Sequence, residues 1–157
     1  MRITDFLTAQ GVIPELAARE KSAVLREMAQ WLAAQRESLN ADRVLQVLWE
    51  RERISTTAIG EGVAIPHGKL AGIERVLGVF ARSPGGVDFA ALDGAPTHLF
   101  FVLLAPENAA ADHLKALARV SRVLRNQSVC EKLRAANQPA ALYAVLTEPS
   151  ATSSQAA

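Results

Sequence analysis

The chain holds three histidines, His67, His98 and His113, and two of them stand where a side chain can do chemistry. His67 sits between Pro66 and Gly68, at the end of the apolar run Val63-Ala64-Ile65. An imidazole with an ordinary pKa of about 6.5 is largely neutral at physiological pH, so it can serve as base, ligand or nucleophile. As a nucleophile its nitrogen can attack phosphorus and carry a phosphoryl group. The bland alternative is a histidine that caps a strand and hydrogen-bonds a loop carbonyl. His113 falls in the first turn expected of the helix that follows the most apolar run, Leu99–Ala105. Free N–H groups and the positive dipole end of a helix favour anionic oxygens at such a place. One imidazole could then attack while the other holds or orients.

Two further side-chain sets bear on the same site. Trp49-Glu50-Arg51-Glu52-Arg53 precedes the His67 stretch. Such a charge run is ordinarily a solvated helix face. The functional alternative turns Arg51 inward beside His67, where its guanidinium fork would hold phosphate oxygens in two-point contact. A metal site would instead combine His67, His113 and a carboxylate, Glu61 or Asp112, as catalytic zinc does. No paired-ligand spacing such as His-Glu-x-x-His supports it. His98 opens the Leu99 run at its far end and reads as structural. Cys130 is the only cysteine, so no internal disulfide can form, and it reads as a small core residue.

The elements that must position these groups follow from periodicity. Val63–Ile65 reads as a brief buried strand that Pro66 stops, because proline cannot donate to a ladder. Gly68 would then allow a sharp turn into a loop. Residues 75–82 read as an interior strand, Ser83–Gly86 as a turn, 87–89 as a short edge segment, and Leu99–Ala105 as the central strand ended by Pro106. Residues 3–8 suggest a helical turn, and Val12-Ile13 an extended segment before Pro14. A first helix would bury Val24, Leu25, Met28, Ala29, Trp31 and Leu32. Asn40 would cap a second, 41–52, with Val44, Leu45, Val47 and Leu48 inward. Three helices close the chain. The first follows Asn108 with Leu114, Leu117, Val120 and Leu124 inward, the second follows Asn126 with Val129, Leu133 and Ala136, and the third follows Pro139 with Leu142, Val145 and Leu146. Strands flanked in sequence by helices imply an α/β fold with both sheet faces covered. Residues 148–157 lack apolar periodicity and read as a disordered tail, leaving 1–147 as one domain.

Composition narrows the class. At 157 residues the chain suits one domain with a sizeable core. Seventeen basic and 16 acidic residues give a net charge of +1, which does not favour nucleic acid. No stretch is long and apolar enough to span a bilayer, and Met1–Phe6 lacks a signal-peptide apolar region. With a single cysteine, these features favour the cytoplasm.

The stretch Thr57-Ala58-Ile59-Gly60-Glu61-Gly62-Val63-Ala64-Ile65-Pro66-His67-Gly68-Lys69 resembles the active-site signature of the IIA domains of the phosphoenolpyruvate-dependent phosphotransferase system (PTS), mannitol/fructose class. The nitrogen-regulatory branch of that class is the most similar. Asp88-Phe89, Leu92-Asp93-Gly94, Leu103–Pro106 with His113-Leu114, and Arg51-Glu52 match further family segments in the same order. The likeness runs over residues 3–147, and Ala58 stands where many members carry glycine. The resemblance implies a mixed β-sheet sandwiched between helical layers. It implies phosphorylation of His67 by an HPr-like phosphocarrier, with His113 and Arg51 accessory at the site and no cofactor. In sugar-transporting members the group passes on to a IIB domain. This chain ends without IIB or membrane segments, so the regulatory branch is the expectation, with target proteins such as sensor kinases or potassium transporters. A sugar-specific IIA serving a separate IIB domain is the alternative. The docking face is expected to be apolar, led by Val63, Ala64 and Ile65, with Arg51 and Lys69 on a positive rim.

Overall fold

The order of elements is set by two helices, a group of strands and three helices, as the periodicity predicts. The computed structural model describes residues 1–148, so the predicted tail lies outside the described residues except for Glu148. Helix α1 spans Lys21–Ala34 and α2 spans Ala41–Ile54. The strands are β1 (Val12–Ile13), β2 (Ala58–Gly60), β3 (Val63–Ala64), β4 (His67–Leu70), β5 (Leu77–Val87) and β6 (Thr97–Pro106). Helices α3 (Ala110–Leu124), α4 (Gln127–Ala135) and α5 (Pro139–Thr147) follow. Asn40 and Asn126 cap α2 and α4 by accepting from the backbone N–H groups of Arg43 and Val129, which satisfies donors the helix leaves open. Asn108 does not cap α3. That position falls to Ala109, without a side-chain bond.

The sheet is mixed. Its order is β1-β5-β6-β3-β2, and β4 also pairs with β6. Strand β6 is the centre: it runs antiparallel to β5 and parallel to both β3 and β4. Residues 99–105 are fully buried, because alternate side chains feed two separate cores. Phe100, Val102 and Leu104 pack with Val24, Leu25, Met28, Val44 and Leu48 of α1 and α2. Leu99, Phe101 and Leu103 pack with Val120, Leu133, Leu142 and Leu146 of α3, α4 and α5. A sheet buried on both faces explains why this strand reads as a continuous apolar run.

Several expectations are corrected by this packing. Ser83–Gly86 is not a turn but a bulge inside β5, since Arg82 pairs with Leu99 and Val87 with Thr97. The surplus residues on one side loop out. Pro106 ends β6, as expected, and is still paired there with Leu70. Trp31 is not core filler: it is 39% exposed and its Nε1 donates to the Gln10 carbonyl at 2.7 Å. Leu114 is 68% exposed, because α3 turns His113 inward in its place.

Candidate functional site

His67 does not end a strand; it begins one. Val63 pairs with Leu99, Ala64 with Phe100 and His67 with Leu103, so the register against β6 continues unbroken through Ile65 and Pro66. The proline lacks an N–H and interrupts the ladder locally, yet its carbonyl still accepts from Leu103 N at 3.0 Å. Strand alternation then sorts the side chains. Val63 and Ile65 enter the core under α3–α5, and His67 faces the same side. Gly68 faces α2. A Cβ built there would lie 2.5 Å from Val47 Cγ1. The glycine thus admits the helix to the sheet and does not make the sharp turn expected of it. Forcing a methyl into such a contact costs about 1–3 kcal/mol.

The imidazole is held by its own strand. His67 Nδ1 lies 2.8 Å from the Ile65 carbonyl oxygen. A carbonyl only accepts, so Nδ1 carries the proton and Nε2 carries the lone pair. Burial lowers the His67 pKa from its ordinary value of 6.5. The Ile65 carbonyl works against that, the Arg51 charge adds to it, and the Glu52 charge opposes it. The ring is therefore neutral at physiological pH, with its free nitrogen available.

His113 comes from the first turn of α3, which doubles back over the sheet after β6 ends. Its ring meets that of His67 edge-on, with centroids 5.5 Å apart and planes at 72°. It is 7% exposed, and its Nε2 is buried without a hydrogen-bond partner among the described residues. Burial first, then the neighbouring charges of His67 and Lys69, lower its pKa. Arg51 lies in the last turn of α2, near enough for its charge to act on His67. One of its nitrogens, Nη1, donates to the Ser55 carbonyl at 2.9 Å.

The other candidates do not join them. Glu61 is exposed on the tight β2–β3 turn, where Gly60, Glu61 and Gly62 all have positive φ. Asp93 Oδ2 accepts its N–H at 2.9 Å and Arg134 Nη2 donates to its carbonyl at 3.1 Å. Asp112 is exposed. Among the described residues no group of three or more His, Cys, Asp or Glu side chains is placed to hold a metal ion. His98 bonds the Ser83 carbonyl at the β5 bulge. Cys130 is half-buried against the core, its thiol donates to the Leu124 carbonyl at 3.0 Å, and burial raises its pKa.

One residue at the site escaped the sequence reading. Glu52 falls in the charge run that reads as a solvated face, yet it is 4% exposed. Its carboxylate accepts from Thr57 N at 2.8 Å and Thr57 Oγ1 at 2.6 Å, and pairs with Lys21 Nζ at 3.0 Å. The available signal was its helical phase. Glu52 lies four residues after Leu48, on the buried stripe of α2.

The structure is thus a mixed sheet between two helical layers, with two histidines converging beside the central strand. The profile of the phosphoenolpyruvate-dependent sugar phosphotransferase system, EIIA 2, matches residues 5–148, and the chain belongs to that family. A nitrogen regulatory protein of Bradyrhizobium diazoefficiens is 48% identical over 152 residues, covering 97% of this chain and 99% of that one. The crystal structure of nitrogen regulatory protein IIA-Ntr from Neisseria meningitidis superposes with a TM-score of 0.86 at 33% identity, over 92% of this chain and 99% of that one. The mannitol IIA of Escherichia coli shares the fold, with a TM-score of 0.74 at 23% identity over 89% and 98% of the two chains. Among the described residues no helix is long and apolar enough to cross a membrane.

Proposed function

We propose that His67 accepts a phosphoryl group on Nε2 from the phosphohistidine of an HPr-like carrier, and that its phosphorylation state controls partner proteins in nitrogen regulation. The observation that carries this is the His67 Nδ1–Ile65 carbonyl bond at 2.8 Å. It commits one nitrogen as donor and leaves the other as nucleophile, in a ring that burial holds neutral. In the transfer the Nε2–P bond forms as the donor's P–N bond breaks, and the donor imidazole keeps the electron pair. The His67 ring then gains positive character, which the Ile65 carbonyl and the Glu52 carboxylate favour. His113 Nε2 and the remaining N–H groups of Arg51 are the candidates to bind the phosphoryl oxygens. Phosphoryl transfer asks the protein for little beyond such positioning and charge. The nitrogen-regulatory role rests on the relatives of that name.

Docking would use the exposed apolar residues near these groups. Leu114 follows His113 and is 68% exposed; Ile54 closes α2 and is 79% exposed. Val63, Ala64 and Ile65 are buried in the core and cannot serve in the way the sequence suggested. Lys69 is exposed and would supply positive rim charge. A phosphoryl group adds roughly −1.5 to −2 charge at the centre, taking phosphorylated hydroxyl residues as the guide. That change would choose between partners by electrostatics.

The test is phosphorylation with phosphoenolpyruvate, the general PTS enzyme and the carrier. Wild type should acquire an acid-labile phosphate that His67→Ala lacks. Full-rate labelling of His67→Ala would overturn the assignment. A separately supplied IIB domain should not discharge the labelled protein; efficient discharge would favour the sugar-specific alternative.

A further inference from the structure

The buried carboxylate of Glu52 belongs to a chain of hydrogen bonds that ends on His67. Lys21 Nζ pairs with Glu52 at 3.0 Å. Glu52 accepts from both the N–H and the hydroxyl of Thr57, at 2.8 and 2.6 Å. The Thr57 carbonyl accepts from Ile65 N at 3.1 Å. The Ile65 carbonyl accepts from His67 Nδ1 at 2.8 Å. Each link joins a different element: α1, α2, the segment entering β2, and the break between β3 and β4. The far end is anchored as well. Lys21 Nζ lies 4.9 Å from the Phe89 ring centroid, and its amine and the Thr56 hydroxyl both donate to the Phe89 carbonyl, at 3.3 and 2.9 Å.

A carboxylate at 4% exposure is costly unless its oxygens are fully used. Here both are, by an ammonium and by two donors of one residue. Two bonds to Thr57 fix that residue in place and orientation. Its carbonyl in turn locates Ile65, just where Pro66 interrupts the ladder and the sheet itself holds the chain least. Without the Thr57 contact, the Ile65 carbonyl would be free to turn from His67.

We propose that Glu52 is a positioning residue for phosphoryl transfer: braced by Lys21, it holds Thr57 and through it the Ile65 carbonyl that keeps the His67 proton on Nδ1 and the lone pair on Nε2. This rests on the reading of His67 as the acceptor. The charge of Glu52 acts in the same direction, favouring the positive ring that transfer creates. The other charged or titratable groups near the ring are Arg51 from α2 and His113 from α3, with Lys69 acting on His113. Misplacement of a reacting atom by about 1 Å can cost about a hundredfold in rate, so loss of this brace should be visible.

The experiment is nitrogen NMR of the imidazole rings in wild type, Glu52→Gln, Glu52→Ala and Thr57→Val, each checked for folding by thermal melting. Carrier-driven phosphorylation rates are measured alongside. Wild-type His67 should be the Nδ1–H tautomer. Glu52→Ala and Thr57→Val should show a mixture with the Nε2–H form and phosphorylate at least tenfold more slowly. Glu52→Gln keeps an acceptor for Thr57 N but removes the charge, so its His67 should titrate at lower pH than in wild type. If Glu52→Ala fails to fold, Thr57→Val and Glu52→Gln decide. Folded Glu52→Ala or Thr57→Val with the wild-type tautomer overturns the proposal, even if it phosphorylates slowly, because slowness alone is what general loosening would give. The tautomer is read without any carrier. Failure of the brace and failure of His67 as acceptor are therefore separate results.

Discussion

The rings of His113 and His67 meet in a T-shaped arrangement, centroids 5.5 Å apart, while His113 Nε2 has no hydrogen-bond partner among the described residues. A buried polar atom left unmatched costs about 1–3 kcal/mol. Such a cost is tolerated where a ligand supplies the missing partner, and an oxygen of a phosphoryl group on His67 would do so.

Replacing His113 should therefore slow transfer without removing the acceptor. Loss of one preorganised donor to developing oxyanion charge costs about 10²–10³-fold in rate. In His113→Ala we expect a loss in that range, with His67 still labelled at long times. Mass spectrometry of the product checks the site. Stable phosphate on His113 in wild type would reverse the two roles.

Arg51 is expected to act twice in one direction. Its charge lowers the His67 pKa, so Arg51→Gln should raise it and leave less neutral imidazole in mildly acidic solution. The same change removes N–H groups that could bind phosphoryl oxygens. The rate should fall at every pH and fall further as the solution is acidified. A pH–rate profile parallel to wild type would leave Arg51 without its electrostatic part.

How much of this was legible beforehand depended on whether the signal was local. The helical faces were, since Val24, Leu25 and Met28, or Val129 and Leu133, repeat at helical spacing and are buried as a stripe. So was the central strand, whose Leu99–Ala105 run has no polar face to misread. The convergence of His67 and His113 was legible by position, and their rings do meet. Glu52 was not, because three neighbours in sequence are charged or exposed and only tertiary contact with Thr57 and Lys21 marks it as buried. Trp31 failed for the opposite reason. Its size suggested the core, but its indole N–H needs an acceptor and finds one at the rim, on Gln10. Gly68 reads as a turn because it has no Cβ and so can bend sharply. Its actual requirement, the approach of Val47, comes from residues some twenty positions away.

Both site histidines have pKa values lowered in the fold, chiefly by burial. The unfolded chain keeps the ordinary value near 6.5. Below that pH the unfolded state binds more protons than the native state, so stability rises with pH there. The contribution is fully present above about 6.5 and is lost as pH falls toward the lowered native values. Denaturant midpoints measured from mildly acidic to neutral pH should climb, and His113→Gln should flatten the climb. An unchanged slope in that variant would remove His113 from the account.

Leu114 offers the cleanest separation of docking from chemistry. It is 68% exposed although its neighbour His113 is 7% exposed, so α3 presents an apolar side chain beside a buried site group. A surface change there should alter stability by no more than about 0.5 kcal/mol. Relay partners must part after each transfer, so the interface should be small, below about 1,200 Å² in total. In a small interface one apolar anchor can carry about 1–2 kcal/mol, which is roughly five- to thirtyfold in affinity. Leu114→Glu should therefore raise the apparent KM for the phosphorylated carrier by about that factor, more if the carrier presents negative charge. The limiting rate should stay near wild type, since nothing that touches the reacting atoms has changed. This split is the signature of lost uniform binding, in contrast to the fall in limiting rate expected for His113→Ala. An unchanged KM would take the carrier off the Leu114 face and move the search for its footprint to Ile54 at the end of α2.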